Sequence, residues 1–439
     1  MDEGRGALKR HAWRSLAAGT LCAGLAGAAG GCGGGDAGTA GTAPDTALTR
    51  MVGEILPLVE RASGLRALAP PRLATSDAET LERYLTGRVE EQLPEERAAA
   101  LTAVYARLGL VPDTLDLRRT LLALYREQVV GYYDPRVDTL FVVSHVPSNQ
   151  LELVLAHELV HALQDQHVDL DSLVRATEGE NDRATALQAA VEGHATLAML
   201  EWQLSRMTGR PADVTALPDL GEQLEAADLT ALGEEAGLPA LSGAPRVIRE
   251  ALVFPYMGGL SFVQRLWQAR DGRPAPFGEE LPVSSEQVLH PARFLAGPPD
   301  VPSAVEFTEE VPESWREVRS DALGELEVRI FLEEHLQDVG RAAQAAEGWD
   351  GDRYRLLRGP SGEAFVWATV WDTRRDAAEF EAAVREAYGK RYRGASVARR
   401  IDVVRQESGG RPAVLVLDLP AGSDAGAGWG AARYLVSAR

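Results

Sequence analysis

An HExxH pattern places two imidazoles and one carboxylate within five positions of the chain, at residues 157–161. On a helix, His157 and His161 stand one turn apart on a single face, so both can bind one metal ion. Glu158 lies beside that face and can act as general base toward a water that the metal activates. The flanking residues are apolar nearly all round, which predicts a buried helix. Burial would be costly for these side chains without a partner such as a metal, although two hydrogen-bonded core histidines are the plainer alternative.

A zinc site of the catalytic type has a third protein ligand and one position left open. Glu192 is the first choice, because it falls on a separate predicted helix and Gly193 beside it would let two helices approach closely. His167 is the rival, since it has the histidine spacing of the longer motif HExxHxxGxxH. That motif requires glycine where Gln164 stands, so we expect the helix to continue and to carry His167 away from the metal.

Three further residues near these ligands could support them. Thr196 follows Glu192 by one turn and shares its face, which suits a supporting hydrogen bond. His194 lies about 200° round the same helix, so it cannot face the metal together with Glu192. Asp165, one turn after His161, could orient a histidine, although a solvated position at the helix end is an equal alternative.

Hydrolysis also needs a donor that stabilises the developing oxyanion. Tyr256 and His290 are candidate catalytic residues for this role, because both fall in segments that read as irregular downstream of the metal helices. Their alternatives are a packing role for Tyr256 and a loop position for His290. Tyr133, near a strand that would border the cleft, is a weaker candidate.

These motifs resemble the gluzincin, or thermolysin-like, zinc metallopeptidases. More closely, the chain is similar to uncharacterised bacterial and archaeal metallopeptidases with Gly-x-Tyr-Asp-Pro, HExxH followed by Ala-Leu-Gln-Asp-Gln, and Glu-Gly-x-Ala. The corresponding segments here are 131–135, 157–166 and 192–195. The resemblance covers about residues 120 to 300 and implies a zincin-like fold, one Zn²⁺ per chain and a peptide or protein substrate. Gluzincins often place an aspartate four residues after the ligand glutamate, where this chain has Thr196.

Length and charge limit the classes of protein to consider. At 439 residues, with 45% hydrophobic and 25% charged residues, the chain is long enough for two or three globular domains. A formal net charge of -20 argues against a nucleic-acid partner and against adhesion to anionic lipid headgroups.

The first residues read as an export signal. Residues 1–31 begin with basic side chains and continue in Ala, Gly and Leu, too weakly hydrophobic for a membrane span. Residues 29–32, Ala-Gly-Gly-Cys, resemble a bacterial lipobox, which predicts lipid on Cys32 followed by a flexible tether over 32–48. The alternative is a plain signal peptide with an incidental cysteine. Both interpretations predict an exported protein, and the first places it in the cell envelope, anchored by lipid to the periplasmic or extracellular face of a membrane.

The periodicity predicts an α+β protein. A mainly helical, zincin-like region with a short sheet covers 49–320, and a small α+β domain of unknown role covers 321–439. The Trp349, Trp367 and Trp371 side chains could line a binding face, although core positions are commoner for strand aromatics. Helices are predicted over 76–93, over 94–108, to about 130 with Asp113 or Thr114 as the cap, from near 149, over 181–207 and over 245–268 with an interruption at 254–259. A turn is predicted over 131–135, a strand over 139–143, an irregular segment over 211–245 and a loop over 284–291. The last domain reads as helix, hairpin (354–371), helix (374–388) and a second hairpin around 409–410.

Three functions follow as hypotheses. The first is an exported, lipid-anchored zinc metallopeptidase in which His157, His161 and Glu192 bind zinc and Glu158 activates water. The second is a binding or scaffold lipoprotein that keeps the zincin fold without turnover, against which an intact Glu158 argues. The third is a zinc amidase acting on cell-wall material, since the same carbonyl chemistry would serve it.

Overall fold

The computed structural model describes residues 46–143, 148–220, 234, 237–298, 300–308, 310–394, 398–422 and 434–437. The predicted signal segment, the lipobox with Cys32 and most of the tether lie outside these residues. The last three tether positions, 46–48, belong to the first helix. None of the helices in the described ranges is long and apolar enough to cross a membrane.

The N-terminal region combines helices with a three-stranded sheet. Its elements are α1 (Thr46–Ser63), β1 (Arg72–Ser76), α2 (Ala78–Gln92), α3 (Glu95–Leu108), α4 (Leu117–Gln128), β2 (Gly131–Asp134) and β3 (Thr139–Val143). The sheet order is β1-β3-β2, with β1 parallel and β2 antiparallel to β3. The prediction of a turn over 131–135 was wrong for its first four residues, which form β2. Tyr132 stacks on Phe141 of β3 at 4.9 Å, so the aromatic side chains favour strand pairing there.

Helix starts follow local capping chemistry. Asp77 accepts a hydrogen bond from the backbone N–H of Thr80 at 2.8 Å and begins α2 close to the predicted position. For α4, the predicted caps at Asp113 or Thr114 were wrong. Asp116 caps this helix instead, accepting from the N–H of Arg119 at 2.9 Å.

The central region contains the long helices. Its elements are α5 (Ser148–His167), α6 (Leu170–Arg175), α7 (Asn181–Thr208), α8 (Pro239–Gly243), α9 (Arg246–Ala269), α10 (Ser285–Leu289) and α11 (Pro291–Ala296). The predicted interruption of α9 was wrong, because the helix runs through Pro255 with its flanking residues buried. Tertiary packing thus compensates for the hydrogen bond that proline removes. The predicted loop over 284–291 was also wrong, since most of it forms the short helix α10.

The C-terminal region is an α+β unit. Its elements are β4 (Ala304–Phe307), β5 (Arg316–Asp321), α12 (Gly324–Leu336), α13 (Val339–Ala346), β6 (Trp349–Gly359), β7 (Gly362–Trp371), α14 (Arg374–Arg391), β8 (Arg399–Ser408), β9 (Arg411–Pro420) and β10 (Tyr434–Ser437). An antiparallel sheet of order β5-β6-β7-β9-β8 contains both predicted hairpins, and β10 pairs with β4. The predicted α+β class is therefore confirmed.

A continuous apolar core joins these regions. Buried residues from α1, α5, α9, α12 and the large sheet belong to one cluster. Trp349, Trp367 and Trp371 are buried on the helix-covered face of that sheet, so they are core residues rather than a binding face. A smaller apolar cluster covers the opposite face.

Buried carboxylates accept hydrogen bonds where the C-terminal unit meets the rest. Glu327 on α12 accepts from the Tyr105 hydroxyl at 2.7 Å and from the Asn181 amide at 2.9 Å. Asp182 on α7 accepts from the backbone N–H of Ser285 at 3.0 Å. Burial raises the pKa of each carboxyl to about 7, despite these donors.

This burial predicts a pH dependence of folding. A carboxyl whose pKa is higher in the folded than in the unfolded chain stabilises the fold below its unfolded pKa, and this stability is lost as pH rises through the folded value. We therefore expect the temperature of the unfolding midpoint to decrease as the pH is raised from about 5 to about 8. Glu327→Gln keeps the acceptor oxygen but cannot titrate. Over that pH range, the free energy of unfolding of this variant should therefore fall by up to about 3 kcal/mol less than that of wild type.

Calorimetry or circular dichroism at a series of pH values measures this difference. The exposed Glu313→Gln, before β5, is the matched control and should keep the wild-type slope. Identical slopes in wild type and Glu327→Gln would show that this carboxyl does not titrate on unfolding.

Candidate metal centre

Helices α5 and α7 supply the predicted ligands. His157, Glu158 and His161 lie on α5, and Glu192 lies on α7. The apolar surroundings predicted for α5 are present, and all four side chains are at most 2% exposed. The HExxH helix is therefore a buried helix, as its sequence indicated.

Three ligand atoms converge between these helices. The Nε2 atoms of His157 and His161 are 3.1 Å apart, and Glu192 Oε2 lies 3.2 Å from the first and 3.5 Å from the second. A tetrahedral zinc site with bonds of about 2.0–2.1 Å has ligand-to-ligand separations of about 3.3–3.4 Å. The donor types and their mutual distances thus fit a zinc ion, with one position left for another ligand.

The electrostatics of the three groups favour a positive charge beside Glu192. Burial opposes ionisation of Glu192, but the histidines outweigh it and lower the pKa of this carboxyl to about 2. Burial also opposes the charge on His161, yet Glu192 raises the pKa of that imidazole to about 9. Burial lowers the pKa of His157. A buried carboxylate thus favours the protonated form of a neighbouring imidazole, and a metal cation between them would replace that proton.

A hydrogen-bond chain fixes the tautomer of His161. Gln164 Nε2 donates to the Val191 carbonyl at 3.0 Å, which assigns Gln164 Oε1 as the acceptor for His161 Nδ1 at 2.8 Å. When His161 is neutral, as a metal ligand must be, its proton lies on Nδ1 and the Nε2 lone pair points toward Glu192 and His157. This is the orientation that a metal-binding histidine requires.

His194 extends the chain behind the ligands. Its Nδ1 accepts from Gln164 Nε2 at 3.1 Å, and its Nε2 donates to the Ser63 carbonyl at 2.9 Å. Burial lowers the pKa of His194 to about 4, consistent with the neutral ring that these two bonds need. The prediction that His194 faces away from the metal position is confirmed. Sequence reasoning missed the part played by Gln164, although its position three residues after His161 was a usable signal.

Strand β2 holds one oxygen of Glu158 and leaves the other open. The backbone N–H of Tyr133 donates to Glu158 Oε2 at 2.9 Å, whereas Oε1 has no hydrogen-bond partner among the described residues. A Cβ on Gly131 would lie 2.6 Å from Val154 Cγ1, so glycine allows β2 to lie this close to α5. Burial raises the pKa of Glu158 to about 8. The carboxyl is thus oriented and can take up a proton near neutral pH.

Two of the other predicted residues lie away from the three ligand atoms. Helix α5 continues through Gln164, as expected, and His167 Nε2 bonds the Arg66 carbonyl at 2.8 Å. His290 Nε2 contacts Glu325 Oε1 at 2.8 Å, so the structure places it in a separate acidic group.

Three more predicted residues surround the cluster. The Tyr256 ring is buried, with its centroid 6.3 Å from that of His157. Thr196 is buried, and its hydroxyl has no partner in the part of the chain that the structure describes. Asp165 accepts from the Tyr133 hydroxyl at 2.8 Å, which occupies the polar groups of both residues. Of the oxyanion candidates, Tyr256 is the one whose ring lies next to a ligand.

A glycine contact sets the distance between α7 and α9. A Cβ on Gly193 would lie 2.0 Å from the carbonyl carbon of Gly259, and one on Gly259 would lie 2.1 Å from the Ala189 carbonyl oxygen. The predicted close approach beside Glu192 is confirmed. It fixes the helix that carries Glu192 and brings Tyr256 of α9 near the cluster.

Comparison with known proteins bears on the C-terminal region. A family model described as a domain of unknown function (DUF8575) matches residues 309–419, which contain most of the large sheet and its helices. No curated protein and no solved structure matches the chain. The matched segment excludes the three ligand residues, so the case for the metal centre depends on its geometry.

The glycine contact gives a stability prediction with an internal control. Gly193→Ala should lower the free energy of unfolding by at least about 2 kcal/mol, because its methyl group would overlap the backbone of α9. Gly53→Ala on α1 meets no atom within 4 Å and should raise the stability by up to about 1 kcal/mol. Urea titration measures both changes. If Gly193→Ala left the free energy of unfolding unchanged, α7 and α9 could move apart without loss of stability.

Proposed function

We propose that this protein is an exported zinc metallopeptidase that hydrolyses peptide bonds in peptide or protein substrates. His157, His161 and Glu192 would hold one zinc ion, and Glu158 would act as the general base. Two observations carry the proposal: the three ligand atoms converge, and the neighbouring residue Glu158 has a buried oxygen with no hydrogen-bond partner among the described residues. The N-terminal pattern supports export, with attachment to the membrane of the cell envelope through lipid on Cys32.

The chemistry divides between the metal and the chain. When bound, zinc supplies a Lewis acid that polarises a carbonyl and makes water more acidic. Glu158 Oε1 would accept a proton from the attacking water and could return it to the leaving amine. The N–H of Tyr133 holds Oε2 throughout and so orients the carboxyl. Gln164 keeps the proton of His161 on Nδ1 and the metal-facing nitrogen free.

The depth of the site favours a second candidate. Glu158 and His157 have no solvent exposure, so a substrate must displace part of the surrounding protein before it reaches them. A zinc-binding scaffold that performs no turnover requires no such movement. An amidase acting on cell-wall material would share the peptidase chemistry and the same need for access.

Metal content tests the ligand assignment. We expect about one zinc per chain by elemental analysis, and at least about tenfold weaker zinc binding in His157→Ala, His161→Ala and Glu192→Ala, because each removes one of three ligands. His167→Ala is the matched control and should bind zinc normally. If Glu192→Ala retained a full zinc content and His167→Ala lost zinc, His167 rather than Glu192 would be the third ligand.

Turnover tests the role of Glu158. In Glu158→Gln the amide can accept the Tyr133 hydrogen bond but cannot take up the water's proton, so zinc should stay while turnover falls at least about a hundredfold. Glu152→Gln, on the same helix but paired with Arg206, should keep wild-type activity. The assay uses a peptide library and cell-wall fragments.

The outcomes of that assay separate the candidates. Equal activity in Glu158→Gln and wild type would remove the catalytic assignment. Cleavage of cell-wall fragments alone would identify the amidase. Inactivity of wild type on all substrates, with zinc bound, would support the scaffold.

A further inference from the structure

A second cluster of possible metal ligands lies away from the histidines. Glu286 on α10, Asp300 before β4 and Asp372 directly after β7 place one carboxylate oxygen each within 4.8 Å of the others. All three donors are oxygens, in contrast to the nitrogen-rich set between α5 and α7. Hard divalent cations prefer such ligands.

Glu286 is the member of this cluster whose burial needs explanation. Its side chain is 4% exposed, and its Oε1 has no hydrogen-bond partner in the described ranges. Its neighbours on α10 are satisfied, since Ser285 binds Asp182 and the Gln287 side chain accepts from the Val283 N–H at 2.7 Å. A buried carboxylate without a partner is costly unless a proton or a cation balances it.

The nearest arginine contacts supply little compensation. Arg293 approaches Asp372 at 3.7 Å through a solvent-exposed guanidinium, and its other nitrogen binds Glu347 at 2.7 Å. Burial, with Glu325, Asp372 and Asp300 adding to it, raises the pKa of Glu286 to about 10. The three carboxyl groups thus lie within a short distance of one another, and the ion pair from Arg293 to Asp372 is long.

We propose that Glu286, Asp300 and Asp372 bind one hard divalent cation of the Ca²⁺ type. Ca²⁺ forms bonds of 2.3–2.6 Å to oxygen, so its coordination sphere is about 4.6–5.2 Å across and accommodates oxygens that lie within 4.8 Å of one another. Mg²⁺ demands near-ideal octahedral geometry at 2.0–2.1 Å and dehydrates reluctantly, so the more flexible coordination of Ca²⁺ suits carboxylates from three separate segments better. Water would complete the coordination that three carboxylates leave open.

This site would connect distant parts of the chain. Gln287 Nε2 donates to the Asp300 carbonyl at 2.5 Å, and the Asp372 N–H donates to the Gly348 carbonyl at 2.9 Å, so each aspartate is held through its own backbone. Helix α10 also contacts α12, since the Leu326 N–H donates to the Ser285 hydroxyl at 3.1 Å. A cation here would hold the C-terminal sheet against α10 and stabilise the junction between the two regions.

The test measures Ca²⁺ itself on the full chain. Titration calorimetry at about pH 8 should give about one Ca²⁺ per chain, and saturating Ca²⁺ should raise the unfolding midpoint by at least about 2 °C. Glu286→Gln and Asp372→Asn should each lose at least about tenfold in affinity and most of the midpoint shift. Exposed Glu313→Gln removes the same charge elsewhere and should respond like wild type.

Two further readouts keep the proposal separate from zinc binding. Without Ca²⁺, Glu286→Gln should unfold at or above the wild-type midpoint, because it removes the cost of an unpaired buried carboxylate. Its zinc content should equal that of wild type. No response of wild type to Ca²⁺, or an undiminished response in both variants, overturns the proposal. If Glu286→Gln does not fold, Asp372→Asn decides by the same measurements.

Discussion

Burial of charged groups between α5 and α7 is the constraint on which the candidate centre depends. His157, His161 and Glu192 are out of contact with water, so each must be satisfied by another protein group or by a cation. The surrounding structure provides for this in part: Gln164 fixes one imidazole, and the Tyr133 N–H holds Glu158. Because α7 lies in backbone contact with α9 at Gly193, these helices cannot shift to admit water without breaking close packing.

The other buried carboxylates show which acidic groups the protein satisfies by itself. Asp352 accepts from the Leu323 and Gly324 N–H groups, and Glu327 accepts from a tyrosine and an asparagine. These carboxylates act as hydrogen-bond acceptors within the fold, and other groups of the chain supply the donors. Glu286 and Glu158 differ, because each keeps a buried oxygen with no donor among the described residues. An unsatisfied carboxylate oxygen, rather than acidic character alone, therefore separates Glu158 and Glu286 from Asp352 and Glu327.

Local chemistry explains what could be predicted from the sequence. The HExxH spacing, the strand Thr139–Val143 and the long helices α5 and α7 each depend on residues close in the chain. Strand β1 was missed because its pairing partner, β3, lies more than sixty residues later and supplies the hydrogen bonds that define it. The grouping of Glu286, Asp300 and Asp372 was likewise not predictable, because their approach depends on how three separate segments pack. The interruption predicted around Pro255 was wrong because α9 packs closely against α7, which supports the helix through this proline.

Burial of Glu158 has opposite consequences for a peptidase and for a zinc-binding scaffold. Desolvation raises the pKa of Glu158, so its carboxylate binds a proton more strongly than an exposed glutamate does, and the same desolvation closes the route to a substrate. If water entered when the site opened, the pKa of Glu158 would fall toward its ordinary value and the carboxylate would become a weaker base. A peptidase built on this centre would therefore need a substrate that replaces the displaced protein contacts and keeps the carboxyl dry. A scaffold would retain the buried arrangement unchanged, because zinc binding alone makes no demand for access.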